Sequence, residues 1–181
     1  MHVEDVFRLN QGRAVMPVGR IERGCVRTGD QVEIIGFGGG AVVPVGAVEV
    51  CRRRTDEARA GMNVGLLLPG TAASAVERGQ VLAAPGSVSE HVGFAADITL
   101  LSDEEGGADV HTGDRLQFHL RAAVVMGHVA LSQGGDTLPP LHMGAVVVTL
   151  ERPVALEEGQ PFVFRHHGRA AGSGVVTRLL N

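Results

Sequence analysis

The feature that most limits what this chain can become is its punctuation. Short β-branched and aliphatic runs follow one another from end to end, most of them closed by Gly, Asp or Pro. No apolar pattern keeps a 3.6-residue period long enough for a packed helix. The runs are Val6–Leu9, Ala14–Val18, Gln31–Phe37, Ala41–Val50, Asn63–Leu68, Gln80–Ala83, Val92–Leu101, Leu116–Val125, His128–Ser132, Ala145–Arg152, Pro161–Arg165 and Gly174–Leu180. Several alternate, as Gln31-Val32-Glu33-Ile34 does, giving one apolar and one wet face. Only Glu57–Ala60 and Ala72–Glu77 read as helical turns. Pro17 inside the second run points to an edge strand or a bulge. The expected fold is all-β, with many short strands closing into small antiparallel barrels.

Composition fits that expectation. Apolar residues make up 44% of the 181 residues and charged ones 20%, enough for packed cores and too balanced for disorder. With neither Trp nor Tyr, the cores fall to Val, Leu, Ile, Ala and six Phe. The 26 glycines suit frequent tight turns. Cys25 and Cys51 do not make a disulfide framework and read as ordinary small apolar residues. No apolar run approaches the ~20 residues of a membrane span, and no signal-peptide pattern opens the chain. The expected location is the cytoplasm, with no membrane partner.

Ala84-Pro85-Gly86-Ser87 interrupts the strand pattern, and the charge balance changes there. Residues 1–86 hold ten Arg against nine acids, a balance of +1; residues 87–181 hold six Arg against eleven acids, a balance of −5. We therefore expect two barrels in tandem, 1–86 and 87–181, each large enough for one core. Gly29-Asp30-Gln31-Val32 is echoed by Gly113-Asp114-Arg115-Leu116. The acidic second half argues against an extended nucleic-acid face, DNA included. The one basic cluster, Arg52-Arg53-Arg54, reads as a solvated strand end.

No enzyme constellation is present. Gly36-Phe37-Gly38-Gly39-Gly40 lacks the Lys-Ser/Thr and the following helix of a phosphate loop, and no Gly-x-Ser-x-Gly occurs. The eight His show no zinc spacing. His166-His167 would point to opposite faces if extended. Neither metal nor cofactor is expected.

Several separate motifs, in matching order and spacing, resemble translation elongation factor Tu. VGRIERG (Val18–Gly24), GDQVEIIG, DEARAGMNVGLLL (Asp56–Leu68) and ERGQVLAAPG resemble its second domain. HVGFAADITLLSDEEGG, DRLQFHLRA and GRAAGSGVVTRLLN resemble its third. The resemblance implies two β-barrels, a role in translation and no GTP hydrolysis, since that activity belongs to a GTPase domain which this sequence lacks. It also implies a pocket for the aminoacylated 3′ end of transfer RNA in the first barrel. There, Glu4, Asp5 and Asn63 would hydrogen-bond the aminoacyl group, Phe7 would line the side-chain pocket, and Glu49 would lie against the terminal adenine between Leu9 and Leu67. Gln117 and Arg165 in the second barrel would touch the transfer RNA stem.

The residues themselves leave other readings open. Asp5 and Asn63 can fix turns through side-chain bonds to backbone, and Phe7 can be core. The sequence also departs from the family. Val18 stands where a threonine is usual, and Leu9–Val18 is one residue longer. Ala108-Asp109 replaces a basic pair, Met126 a threonine, and His166-His167 an acid-glycine pair. Loss of positive charge weakens phosphate contacts, so weak binding of aminoacyl-tRNA is expected. The alternative is a protein-interaction module that docks a separate GTPase domain, or acts as a regulator or decoy of elongation factor Tu. A fragment of a full-length factor is a third reading.

Overall fold

The computed structural model describes all residues, Met1–Asn181. They form two compact units, Met1–Ser89 and Glu90–Asn181. Every strand pair is antiparallel, and the only helical pieces are three single 3-10 turns. No helix is long and apolar enough to cross a membrane.

The first unit is built from β1 (Asp5–Leu9), β2 (Ala14–Arg20), β3 (Cys25–Arg27), β4 (Gln31–Ile35), β5 (Val42–Pro44), β6 (Ala47–Val50), β7 (Arg53–Thr55), β8 (Glu57–Arg59), β9 (Asn63–Pro69) and β10 (Val81–Ala83). A five-stranded sheet runs β1-β2-β9-β6-β7, beside a three-stranded sheet β10-β4-β5 and a pair β3-β8. One core joins them. Val15, Val48, Val64, Leu66 and Leu68 come from the inner face of the large sheet, and Val32, Ile34 and Leu82 from the smaller one. Period-2 alternation assigns the opposite face of the large sheet to the outside.

The second unit comprises β11 (Glu90–Leu100), β12 (Val110–His111), β13 (Arg115–Leu120), β14 (Ala123–Leu131), β15 (Thr137–Leu138), β16 (Met143–Ala155), β17 (Pro161–His166) and β18 (Arg169–Leu180). Six of these strands close into a barrel in the order β11-β16-β14-β13-β17-β18. Its core is aromatic: Phe94 meets Phe118 and Phe162 edge-on at 6.2 and 5.5 Å, and Phe164 lies 6.1 Å from Phe118. Such offset contacts add to the area that the rings bury.

The Gly-Asp echo is a repeated backbone framework. Thr28 N–H donates to Asp56 O at 3.1 Å, and Thr112 N–H to Asp136 O at 2.9 Å. Gly29 N–H bonds Val45 O and Gly113 N–H bonds Val129 O, both at 2.8 Å. The two aspartates close the same turn, Asp30 accepting from Arg27 N–H and Asp114 from His111 N–H, each at 2.8 Å. Glu77-x-Gly79-Gln80 matches Glu157-x-Gly159-Gln160 in the same way, each Gln side chain accepting from its Glu N–H. The Gln carbonyl is bonded in one unit by Val3 N–H, in the segment that leads into the first strand, and in the other by Val176 N–H, in the last strand. The two frameworks are thus related by a change in where the chain enters.

Several expectations change. Glu57–Ala60 is no helical turn: Glu57–Arg59 is β8, held by pairing with Cys25–Arg27 and by Glu57 bridging Arg27 and Arg59 at 2.6 Å each. Tertiary pairing overrides the helix propensity of Glu-Ala-Arg-Ala. The turn at 72–77 shrinks to Ala73–Ala75. Ala41–Val50 divides into β5 and β6, because the chain leaves β4 and joins β9. Leu116–Val125 divides at a turn where Arg121 takes φ 58°. Pro17 marks neither an edge nor a bulge against β9. β2 lies inside the sheet, and its register with β9 is the same on both sides, Val15 opposite Leu68 and Val18 opposite Gly65. Met16 and Pro17 are left out of that ladder, as the missing proline N–H requires. Both cysteines are exposed, so they are not apolar filling.

Candidate functional site

Cross-strand register decides which side chains meet on the outer face of the large sheet. Asp5 stands opposite Val18, Phe7 opposite Met16 and Leu9 opposite Ala14. Val18 in turn faces Gly65, and Arg20 faces Asn63. Across the next pair Glu49 faces Gly65 and Ala47 faces Leu67, and Glu49 also faces Arg54. Paired residues share a face, so six of the seven expected pocket residues (Asp5, Phe7, Leu9, Glu49, Asn63 and Leu67) lie on one surface although they come from three separate strands.

That surface holds a cleft of about 320 Å³, lined by Glu4, Phe7, Met16, Val18, Gly19, Glu49, Cys51, Arg52, Asn63, Val64 and Gly65. Gly65 forms its floor between Val18 and Glu49. A Cβ there would stand 2.8 Å from Met16 Sδ and 3.1 Å from its Cγ. Glu4 enters through a local irregularity. Its N–H donates to Val18 O at 2.9 Å while Asp5 is already the register partner of Val18, so two residues meet one, the arrangement of a β-bulge. Phe7 is 52% exposed, which removes the reading of it as core.

Four expected residues therefore line the cleft: Glu4, Phe7, Glu49 and Asn63. Asp5, Leu9 and Leu67 share the face but do not line it. Asp5 is occupied locally, its Oδ1 accepting from Val6 N–H at 2.8 Å. Leu9 closes the far end of β1 against Ala14, and Leu67 is half-buried beside Ala47.

The sequence reading missed Met16, Gly19, Cys51, Arg52, Val64 and Gly65. Cys51 and Arg52 form the two-residue turn between β6 and β7, with φ of 51° and 61°. Both central residues are left-handed, as a type I′ hairpin demands, though neither is glycine. The turn carries the first arginine of the basic run to the cleft, away from a solvated strand end. Gly65 had a signal, since it lies two residues beyond Asn63 and on the same face.

In the second unit Gln117 and Arg165 are direct cross-strand partners on the outside of the barrel. The Gln117 Oε1 lies 3.2 Å from His119 Nε2. Burial, and then the Arg165 charge, lower the His119 pKa. Arg115 is committed to Glu151 through a two-pronged contact of 2.6 and 2.9 Å. His166 and His167 do not diverge. His167 takes φ 50° in the turn before β18, and the two rings stack at 4.1 Å with 22° between planes. His166 and His111 lie 3.8 and 3.6 Å from Asp114 Oδ2, and no group of His, Cys, Asp or Glu has the geometry to hold a metal ion.

Comparison with known families agrees with both halves of the chain. Residues 15–83 match elongation factor Tu domain 2, and residues 87–180 match the elongation factor Tu C-terminal domain. Both matched domains are the factor's non-catalytic ones. Matched motifs, antiparallel barrel strands and these two ranges together assign the chain to the elongation factor Tu family, in which it carries domain 2 followed by the C-terminal domain.

Proposed function

We propose that the first unit weakly holds the aminoacylated 3′ end of a transfer RNA in the cleft over Gly65. The supporting observation is that Glu4 and Phe7 meet Glu49 and Asn63 there, across a long stretch of sequence. The chemistry suits that ligand. Phe7, Met16 and Val18 offer flat apolar contacts, Glu4 can accept from the α-ammonium, and Asn63 can both donate and accept. Val18 contributes no hydroxyl. Gln117 and Arg165 would serve the stem in the second unit, where Arg115 is already spent on Glu151. Titration with aminoacylated and deacylated transfer RNA tests this. Preference for the aminoacylated form, reduced by Glu49→Ala and by Asn63→Ala, is expected. Equal, salt-sensitive binding of both forms by parent and variants would exclude the pocket.

A second reading, docking of a separately encoded GTPase domain or another translation factor, draws on the second unit. Val124 and Val163 flank His119 on the barrel exterior and are 47% and 53% exposed. This apolar row is independent of the cleft. Co-purification with the GTPase domain, lost in Val163→Asp, would favour it.

A further inference from the structure

A thioether lies on the floor of the cleft. Met16 stands on the outer face of β2, opposite Phe7, and lines the cleft in a half-buried position. Its Sδ and Cγ lie 2.8 and 3.1 Å from where a Cβ on Gly65 would stand. Of the five methionines, only Met16 lines the cleft. Met62 and Met143 are 42% and 73% exposed, and Met62 Sδ accepts from Arg59 N–H at 3.2 Å. Met1 packs against the core of the first unit, and Met126 pairs with Gln117 in the second.

Methionine at this position differs from a leucine of similar volume because its sulfur can be oxidised. A thioether is a weak acceptor and suits an apolar floor. A sulfoxide is polar, and its oxygen is a strong acceptor. Over Gly65 that oxygen would find no donor, since the glycine backbone is already held in the ladders with β2 and β6. An acceptor buried without a donor is destabilised. Two side-chain donors line the same cleft, the Arg52 guanidinium and the Asn63 amide, and neither is engaged by another group of the protein. Three rotatable bonds let the end of the methionine swing between floor and donors.

We infer that Met16 is a reversible oxidation site that gates the cleft. A hydroperoxide converts the thioether to the sulfoxide, which leaves the Gly65 floor for the Arg52 and Asn63 donors and fills the cleft. In the reaction a sulfur lone pair attacks the terminal peroxide oxygen. The S–O bond forms as the O–O bond breaks, sulfur gives up two electrons, and the peroxide departs as an alcohol, or as water from hydrogen peroxide, carrying the proton of the transferred oxygen. Loss of end binding on oxidation rests on the proposed function of the cleft. The modification and the movement of the side chain do not.

The alternative is that Met16 is packing alone, a flexible side chain filling the hollow that Gly65 leaves. The full chain, carrying 13C-methyl methionine and valine, is treated with hydrogen peroxide and then with dithiothreitol, which returns oxidised thiols to the reduced state and leaves sulfoxides in place. Methyl spectra and peptide masses should show Met16 sulfoxide. The Val18 methyl signals and the Arg52 Nε–H signal should shift with its formation, while those of Val163 in the second unit stay still. In Met16→Leu, a volume-conserving change that the fold should tolerate, the same signals should not respond to peroxide. A Met16 that stays reduced after Met62 and Met143 are fully oxidised overturns the site. Sulfoxide formation with Val18 and Arg52 unmoved overturns the gate. In the binding arm, peroxide should abolish the preference for aminoacylated over deacylated transfer RNA, and methionine sulfoxide reductase should restore it. Met16→Leu, compared only with itself before and after peroxide, should show no change. A preference that survives with Met16 fully oxidised overturns the regulation. An untreated parent protein without any preference defeats the end-binding function instead, and the responses of Val18 and Arg52 then decide the gate.

Discussion

Met16 covers Gly65: a Cβ on Gly65 would meet Met16 Sδ at 2.8 Å and Val18 Cγ1 at 3.4 Å. The contact makes the cleft as deep as one missing methyl group allows. Gly65→Ala should push the thioether, the far end of a flexible side chain, outward into the cleft. The fold should survive at a cost of no more than about 1–3 kcal/mol, while preference for aminoacylated transfer RNA falls by more than the stability loss explains. Parallel thermal melts and titrations measure both, and a variant that binds like the parent would remove Gly65 from the site.

Phe7 and Phe118 should separate function from packing. Phe7 is half exposed, whereas Phe118 sits inside the barrel among Phe94, Phe162 and Phe164. Phe7→Ala is expected to change stability by about 0.5 kcal/mol or less and to impair end binding. Phe118→Ala should cost about 3–5 kcal/mol. Urea unfolding of both variants checks the contrast.

Gly172 is required by close packing. A Cβ there would run into Thr99 O and stand 2.7 Å from Phe164 Cζ. The backbone carbonyl cannot swing away as a methionine can, so Gly172→Ala should cost about 3 kcal/mol or more. The melt should show the second unit unfolding early. A variant as stable as the parent would mean that β18 can shift along β11.

His166 makes the second unit acid-sensitive. Burial, and then the neighbouring His167, lower its pKa; Asp114 opposes this but does not prevail. Its Nδ1 is buried without a partner. A histidine whose folded pKa lies below the unfolded value of about 6.5 stabilises above that pH. The contribution is lost as pH falls from about 6.5 through the lowered folded value. His119, lowered by burial and Arg165, acts in the same direction. The melting temperature should therefore drop between neutral and mildly acidic pH, and His166→Gln should flatten that drop. An unchanged pH profile in the variant would shift the effect to other groups.

Much of the architecture was legible because burial imposes a period of two. Gln31–Ile35 and Asn63–Leu68 announce their inner faces by alternation, and both are strands whose alternate residues fill the core. Elements too short to show a period were not legible. Arg53–Thr55 and Cys25–Arg27 are strands only because a partner lies alongside. Glu57–Arg59 carries helix-favouring residues and still pairs, since Glu57 gains two arginine contacts there. Gly-Asp turn chemistry at Asp30 and Asp114 was local and could be read directly. The stacking of His166 on His167 depends on a left-handed residue in a turn, which an extended reading excludes.

The sequence by itself determined an all-β chain of the elongation factor Tu kind, with apolar alternation, turn residues and motif spacing. Those are properties of neighbouring residues, and local sterics and burial suffice to express them. Only the tertiary structure decided that Gly65 lies between Val18 and Glu49, that the bulge at Glu4 directs its side chain beside Phe7, and that the β6–β7 turn carries Arg52 to the same cleft. Antiparallel register sets those meetings. A slip of one residue would turn every one of these side chains to the other face, so the cleft exists only once β1, β2, β9 and β6 are locked together over a common core.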